Sequence, residues 1–308
     1  MNKEKKEQDI KALLKKKFGR KHKLESKVAI QYKENLEREY QRTTNAYMKL
    51  LKDTLNKYLP LIKSTLLEEN TDSQDGIRKD ANNLPSTIRK IFKEMNVELE
   101  AKTERFLLRS QLERLANLTR KLTIREWKRV VSKTLGIDLT KDAYLGEFYK
   151  NALKEWTSTN VDLIKSIPKN SLGEMEDIVL NGVKGGKTVK SVMQDIQHTY
   201  GVSRNKARFL ARDQMSKLNA SIAQKQQTEA GVEEYIWSSS GDGRVRDRHK
   251  ELNGKKFKWS EPPIVDMKTG RRAHPGQDYQ CRCVALPVFD IDTIDLPMSG
   301  QENRKGGN

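Results

Sequence analysis

The residues best suited to chemistry gather near the end of the chain. Both cysteines, Cys281 and Cys283, and two of the four histidines, His249 and His274, fall between positions 249 and 283. Thiolate and imidazole are the natural ligands of Zn²⁺, and four of them close a tetrahedral structural site. A small lobe of strands and loops with few apolar residues gains stability from such a staple. His249, His274, Cys281 and Cys283 are therefore the candidate metal site, and zinc is the candidate cofactor. A second reading stands beside it. Two residues apart on an extended strand, the thiols share one face, which also suits a pair of buried small hydrophobes next to a hydrogen-bonded His249. A disulfide between positions 281 and 283 is strained by its geometry. On either reading, His249 is expected within side-chain contact of at least one cysteine.

A second group precedes the cysteines. Asp242, Arg244, Arg246 and His249 lie in one short stretch. A metal-dependent nuclease can combine a histidine base, acidic ligands and basic groups that hold a phosphate. Only Asp242 and Asp247 are acidic here, and no second carboxylate-rich stretch lies near. An Asp–Arg salt-bridged turn that shapes the lobe, or an arginine contact with DNA or protein, accounts for the same residues. Upstream, Arg204, Arg208 and Arg212 step by four along one side of a helix. Together with Arg244 and Arg246 they are the candidate contacts for nucleic acid or a partner.

These groups need elements to hold them. Up to about residue 165 the pattern is helical. Leu108, Leu112, Leu115, Leu118 and Leu122 recur at helical spacing and read as packing core. Thr123 with Glu126, and Ser171 with Glu174, fit capping boxes that open new helices. Tyr144 and Phe148 fit a further helix after Thr140. Pro60 bends or ends one helix, 70–76 is a loop, and Pro168 marks a boundary. The stretch 181–188, NGVKGGKT, falls short of a phosphate loop because Asn181 stands where the pattern needs glycine. A glycine-rich turn with Thr188 capping the next helix is expected there. Ser203 is expected to cap a long helix reaching about Ala230. Beyond Gly231 come a strand at Tyr235–Trp237, a turn at Leu252–Lys255, a strand with Phe257 and Trp259, and a last strand from Cys281 to Val288.

The expected architecture is mostly α: an elongated helical N-terminal half with a small α+β C-terminal lobe. The expected divisions are a flexible basic arm at 1–25, a helical region at 26–165, the motif-bearing domain at 166–290 and a loose tail at 291–308.

Composition sets the outer limits. The chain has 308 residues, 60 Lys+Arg against 42 Asp+Glu, and a formal charge of +18. Charged residues make up 33% and hydrophobic ones 35%, against about 25% and 45–50% in ordinary domains. Such a surplus favours a polyanionic partner, whether nucleic acid, a membrane surface or an acidic protein, and a soluble helical protein with lysines on solvated faces has the same composition. No run approaches the roughly 20 apolar residues of a membrane span, no secretory leader is read at the start, and two cysteines cannot frame a disulfide-built fold.

The ordered set from position 231 onward resembles a known family. Gly231, Tyr235-x-Trp237, Asp242-x-Arg244-Val245-Arg246-x-x-His249, Leu252-Asn253-Gly254-Lys255, Pro262-Pro263, His274-Pro275-Gly276 and Cys281-Arg282-Cys283 follow one another. This looks like the head-morphogenesis domain of tailed bacteriophages, the Mu F-like minor head protein family, over about 175–290. Ala211-Arg212 and Asn219 upstream also fit, whereas Asp213-Gln214 stands where the family usually shows Thr-Glu. The resemblance implies a non-enzymatic minor capsid component, assembled in the bacterial cytoplasm and carried in the phage head. Its implied partners are the portal, other head proteins and double-stranded DNA bound without sequence preference. The rival readings are a metal-dependent nuclease or effector enzyme on the same lobe, and a DNA-binding protein outside the capsid.

Overall fold

A computed structural model describes residues 3–31, 33–68, 83–139 and 147–296. Among them the helices are α1 (Lys3–Phe18), α2 (Glu34–Glu68), α3 (Leu84–Glu104), α4 (Leu108–Leu135), α5 (Glu147–Gly185), α6 (Val189–Glu229) and the short α7 (Asp247–Leu252). The strands are β1 (Lys23–Glu25), β2 (Glu234–Ser238), β3 (Lys256–Lys258), β4 (Ile264–Asp266), β5 (Arg271–Arg272) and β6 (Val284–Asp290). The chain is mostly α with an α+β C-terminal lobe.

The described residues form two compact units, one drawn from Met1–Leu36, Ala116–Lys154 and Arg212–Asn308, the other from Glu37–Leu115 and Glu155–Ala211. The second unit is helical. Its core joins Leu51, Leu55, Ile62 and Leu66 of α2 to Ile88, Phe92 and Met95 of α3. Met175 and Val179 of α5 and Val192 and Ile196 of α6 complete it. Spacings of three and four residues put each set on one helix face.

This packing overrides several expected breaks. Pro60 lies inside α2 and Pro168 inside α5. A proline removes one helical hydrogen bond and crowds the preceding turn, but the apolar residues on either side of it anchor the helix. Ser171 and Ser203 also sit mid-helix. Their hydroxyls, 3.1 Å apart, bond to each other instead of capping. The expected stop at 181–188 does form. Gly186 has φ +68°, Lys187 N–H donates to Gly182 O at 2.9 Å, and Ser191 N–H bonds Thr188 Oγ1 at 3.2 Å. These are a left-handed helix end and an N-cap.

The first unit holds the sheet, in strand order β1-β6-β2-β3 with every pairing antiparallel. The strands β4 and β5 form a separate hairpin. Trp127 of α4 stacks on Phe289 of β6 with ring centroids 5.7 Å apart. Thr123 does not open a helix. It lies within α4, with its hydroxyl 2.9 Å from Thr119 O and 3.0 Å from Asn219 Oδ1. The leucine row also drifts: Leu118 is exposed, and Ala116 and Thr119 take the inward positions.

The basic arm is not loose over its described part. Leu14 is fully buried and Ile10 nearly so, and Lys17 Nζ donates to Leu135 O at 3.0 Å. Strand β1 then adds to the edge of β6, pairing Leu24 with Phe289. At the other end, Ile291, Ile294 and Leu296 are buried. The expected loose tail is therefore anchored as far as 296, and its remainder lies outside the described residues. So do the 70–76 loop and Tyr144, and the side chain of Phe148.

Candidate functional site

Strand β2 and helix α7 bring His249 to its place. Asp242 makes a turn in which Arg244 N–H donates to its Oδ1 at 3.0 Å, and α7 begins five residues later. After α7 the chain turns at Gly254, with φ +77°. Gly254 N–H donates to Trp237 O at 2.8 Å, so the Leu252–Lys255 turn returns the chain to β2. His249 is 2% exposed, and its ring stands edge-on to Trp237 with centroids 5.3 Å apart.

The cysteines precede β6 and are not part of it, contrary to the expected strand. Gln280 has φ +50°, held there as its N–H donates to Asp213 Oδ1 at 2.9 Å. Cys281 N–H closes a turn onto Asp278 O at 3.1 Å. These contacts bend the backbone away from extended geometry. Both thiols nevertheless reach one atom. Cys281 Sγ and Cys283 Sγ are each 3.6 Å from His249 Nδ1, and the three candidate ligand atoms lie within 4.8 Å of one another. The expected contact between His249 and the cysteines is present.

Helix α6 supports this segment from below. Ser216 Oγ donates to Cys281 O, and Asp213 is held by Lys217 at 2.6 Å. Gly276 packs so tightly that a Cβ there would meet Ala220 Cβ at 2.9 Å. Asp213, at a position where the resembled family usually shows another residue, thus has a defined task in this chain.

His274 does not join the trio. It is buried elsewhere in the lobe, with Nδ1 2.9 Å from Tyr235 Oη and its ring 4.8 Å from that of Trp259. An aromatic pocket and the Tyr235 hydroxyl satisfy it, so the four expected ligands do not converge. Burial also lowers the His274 pKa to about 4, despite the opposing hydrogen bond that the imidazole donates to the Trp259 backbone.

In its place beside His249 stands Asp278. Asp278 is 3% exposed. Its Oδ2 is 3.2 Å from His249 Nε2, and its Oδ1 is 2.9 Å from Arg271. Arg246 approaches Oδ2 at 3.5 Å and donates to Tyr279 O at 2.8 Å. Burial opposes charge on the His249 imidazole, but Asp278 and Cys281 outweigh it and raise its pKa to about 9. Cys281 moves the other way, to about 5, through its hydrogen bond with Cys283 and the presence of His249, against burial. Cys283 is raised by the neighbouring Cys281 sulfur and by burial.

A cleft of about 580 Å³, open solvent included, adjoins the trio. Arg212, Arg244, Arg246 and Arg282 line it along with His249, Cys281 and Cys283. Arg282 also pairs with Asp242. That carboxylate stays below its ordinary pKa although burial works against it, because the Arg244 N–H and Arg282 stabilise its charge. The Asp–Arg turn is thus formed and tied to the Cys-Arg-Cys segment. Of the five expected contact arginines, Arg212, Arg244 and Arg246 meet in this cleft. Arg204 and Arg208 are exposed on α6 and do not line it. Arg282, which the motif places between the two cysteines, is the fourth arginine of the cleft.

The comparisons agree with this anatomy. Residues 173–286 match the model of the family described as Phage Mu protein F like protein, so this part of the chain is similar to that family. Over 155 residues the chain is 36% identical to an uncharacterized protein of Haemophilus influenzae. The aligned stretch is 50% of this chain and 33% of that protein, so the chain spans about a third of the relative's length. No solved structure matches the chain.

Proposed function

We propose that the chain acts as a minor head protein of a tailed bacteriophage, carried in the virion and working in prohead assembly near the portal. The observation that carries this reading is the Mu F-like match over residues 173–286. Other head proteins are the partners this reading requires. Non-specific contact with double-stranded DNA belongs to the same proposal and rests on the charge of +18. None of the seven described helices is long and apolar enough to cross a membrane. The role is one of binding and assembly and calls for no catalytic step.

The test is co-sedimentation of the purified chain with its cognate portal ring. Stable, saturable binding to the ring supports the assignment. Binding to neither portal nor prohead, under conditions where those assemblies are intact, contradicts it.

A further inference from the structure

We propose that His249 Nδ1, Cys281 Sγ and Cys283 Sγ bind one thiophilic divalent cation, of the zinc class, with the fourth coordination position open to an oxyanion in the arginine-lined cleft. This centre is independent of the head-protein reading and stands or falls separately from it.

The two nitrogen–sulfur distances fit the ion. A tetrahedral site with Zn–N of about 2.0–2.1 Å and Zn–S of about 2.3 Å separates an imidazole nitrogen from each sulfur by about 3.6 Å. Both observed separations are 3.6 Å. The surrounding groups also fit. A metal-binding histidine commonly donates its other N–H to a carboxylate, which sets the tautomer and strengthens the ligand. His249 Nε2 has that partner in Asp278 at 3.2 Å, itself held by Arg271 at 2.9 Å. Cys283 N–H points at Cys281 Sγ at 3.4 Å, a contact that stabilises thiolate. Two thiolates balance a divalent charge, so the loaded site is neutral apart from its fourth ligand.

The fourth position follows from the placement of His274. With that side chain bonded to Tyr235, the three protein ligands leave one position free, the arrangement of sites that bind an exchangeable ligand rather than of closed structural sites. The cleft on that side carries Arg212, Arg244, Arg246 and Arg282. Guanidinium groups pair with phosphate or carboxylate oxygens. The exogenous ligand is therefore an oxyanion, and inorganic phosphate is its simplest probe.

The experiment is metal analysis of the intact chain, followed by cobalt substitution. One zinc per chain is expected, with a thiolate-to-cobalt charge-transfer band in the substituted protein and visible bands of a tetrahedral ion. Inorganic phosphate should shift the visible bands. Asp278→Asn should keep the metal but weaken its binding by about 10–100-fold, and His274→Gln should keep it at full occupancy. Cys283→Ser should abolish the charge-transfer band or reduce it to a single-thiolate intensity. If a reduced chain of native helicity takes up no zinc or cobalt, the centre is overturned, and buried free thiols remain. If His274→Gln releases the metal, or saturating phosphate leaves the cobalt spectrum unchanged, the open three-ligand arrangement is overturned in favour of a closed one.

Discussion

Gly276 and His274 show how closely the lobe specifies its site at the scale of single residues. Gly276 has φ +81° and no room for a Cβ against Ala220. Gly276→Ala should therefore cost about 1–3 kcal/mol through backbone strain and the displaced contact. Denaturant unfolding measures it, and a change within the ordinary surface range of about ±0.5 kcal/mol contradicts the packing argument. His274 offers a pH test. Its pKa is about 4 in the folded chain against 6.5 in the reference state. Between those values the unfolded chain binds more protons, so stability falls as pH drops from about 6.5 to about 4, by up to about 3 kcal/mol. His274→Gln should remove that part of the slope. An unchanged slope in the variant would show that His274 is not held neutral. Residue types alone made His249, Cys281 and Cys283 legible as a group, because thiols and imidazoles are rare in this chain. Asp278 and Arg282 were not legible as site residues, since Asp and Arg are abundant here and only the fold selects which of them meet.

At the scale of elements, the weak readings were those that relied on punctuation. Pro60, Pro168, Thr123 and Ser171 carry real local signals. A long apolar face buried against neighbouring helices outweighs a lost hydrogen bond or an unused cap. Gly186 worked as a stop signal because it takes a left-handed conformation, which a helix interior does not offer, and Thr188 worked as the cap of the next helix. The strand with Tyr235 and Trp237 was legible from its alternation. Strand β1 was not, because its three residues gain their structure only by pairing with β6, far along the sequence. The same distance effect gives a prediction. Trp127 and Phe289 lie on opposite sides of the matched segment in the sequence, yet their rings stack. Trp127→Ala should destabilise the site-bearing unit by about 3–5 kcal/mol, read by denaturant unfolding. A fragment covering only 170–296 lacks α4, α1 and β1 and should fail to give a cooperative unfolding transition. A stable, cooperative fragment of that length would contradict the unit as drawn.

For the whole molecule, the mostly α class with a small α+β C-terminal lobe was legible from helical spacing and the change of character after Gly231. The discontinuous make-up of the two units was not, because neither periodicity nor composition shows that segments near both ends of the chain share a core. The surplus of positive charge belongs to this scale too. If it serves DNA contact, affinity for duplex DNA should be indifferent to sequence. It should fall with salt at a log–log slope of about −0.9 per phosphate neutralised, as titrations across a series of salt concentrations would show. No retention at about 50 mM salt, where phosphate contacts are strong, removes DNA from the proposal. The head-protein assignment itself is tested most directly by assembling proheads from the cognate portal, scaffold and coat proteins with and without this chain, and measuring the protein content of the purified particles. The account predicts that the chain is incorporated in a fixed, sub-stoichiometric amount relative to coat, and only when the portal is present. Particles that form around the portal and consistently exclude the chain would contradict it.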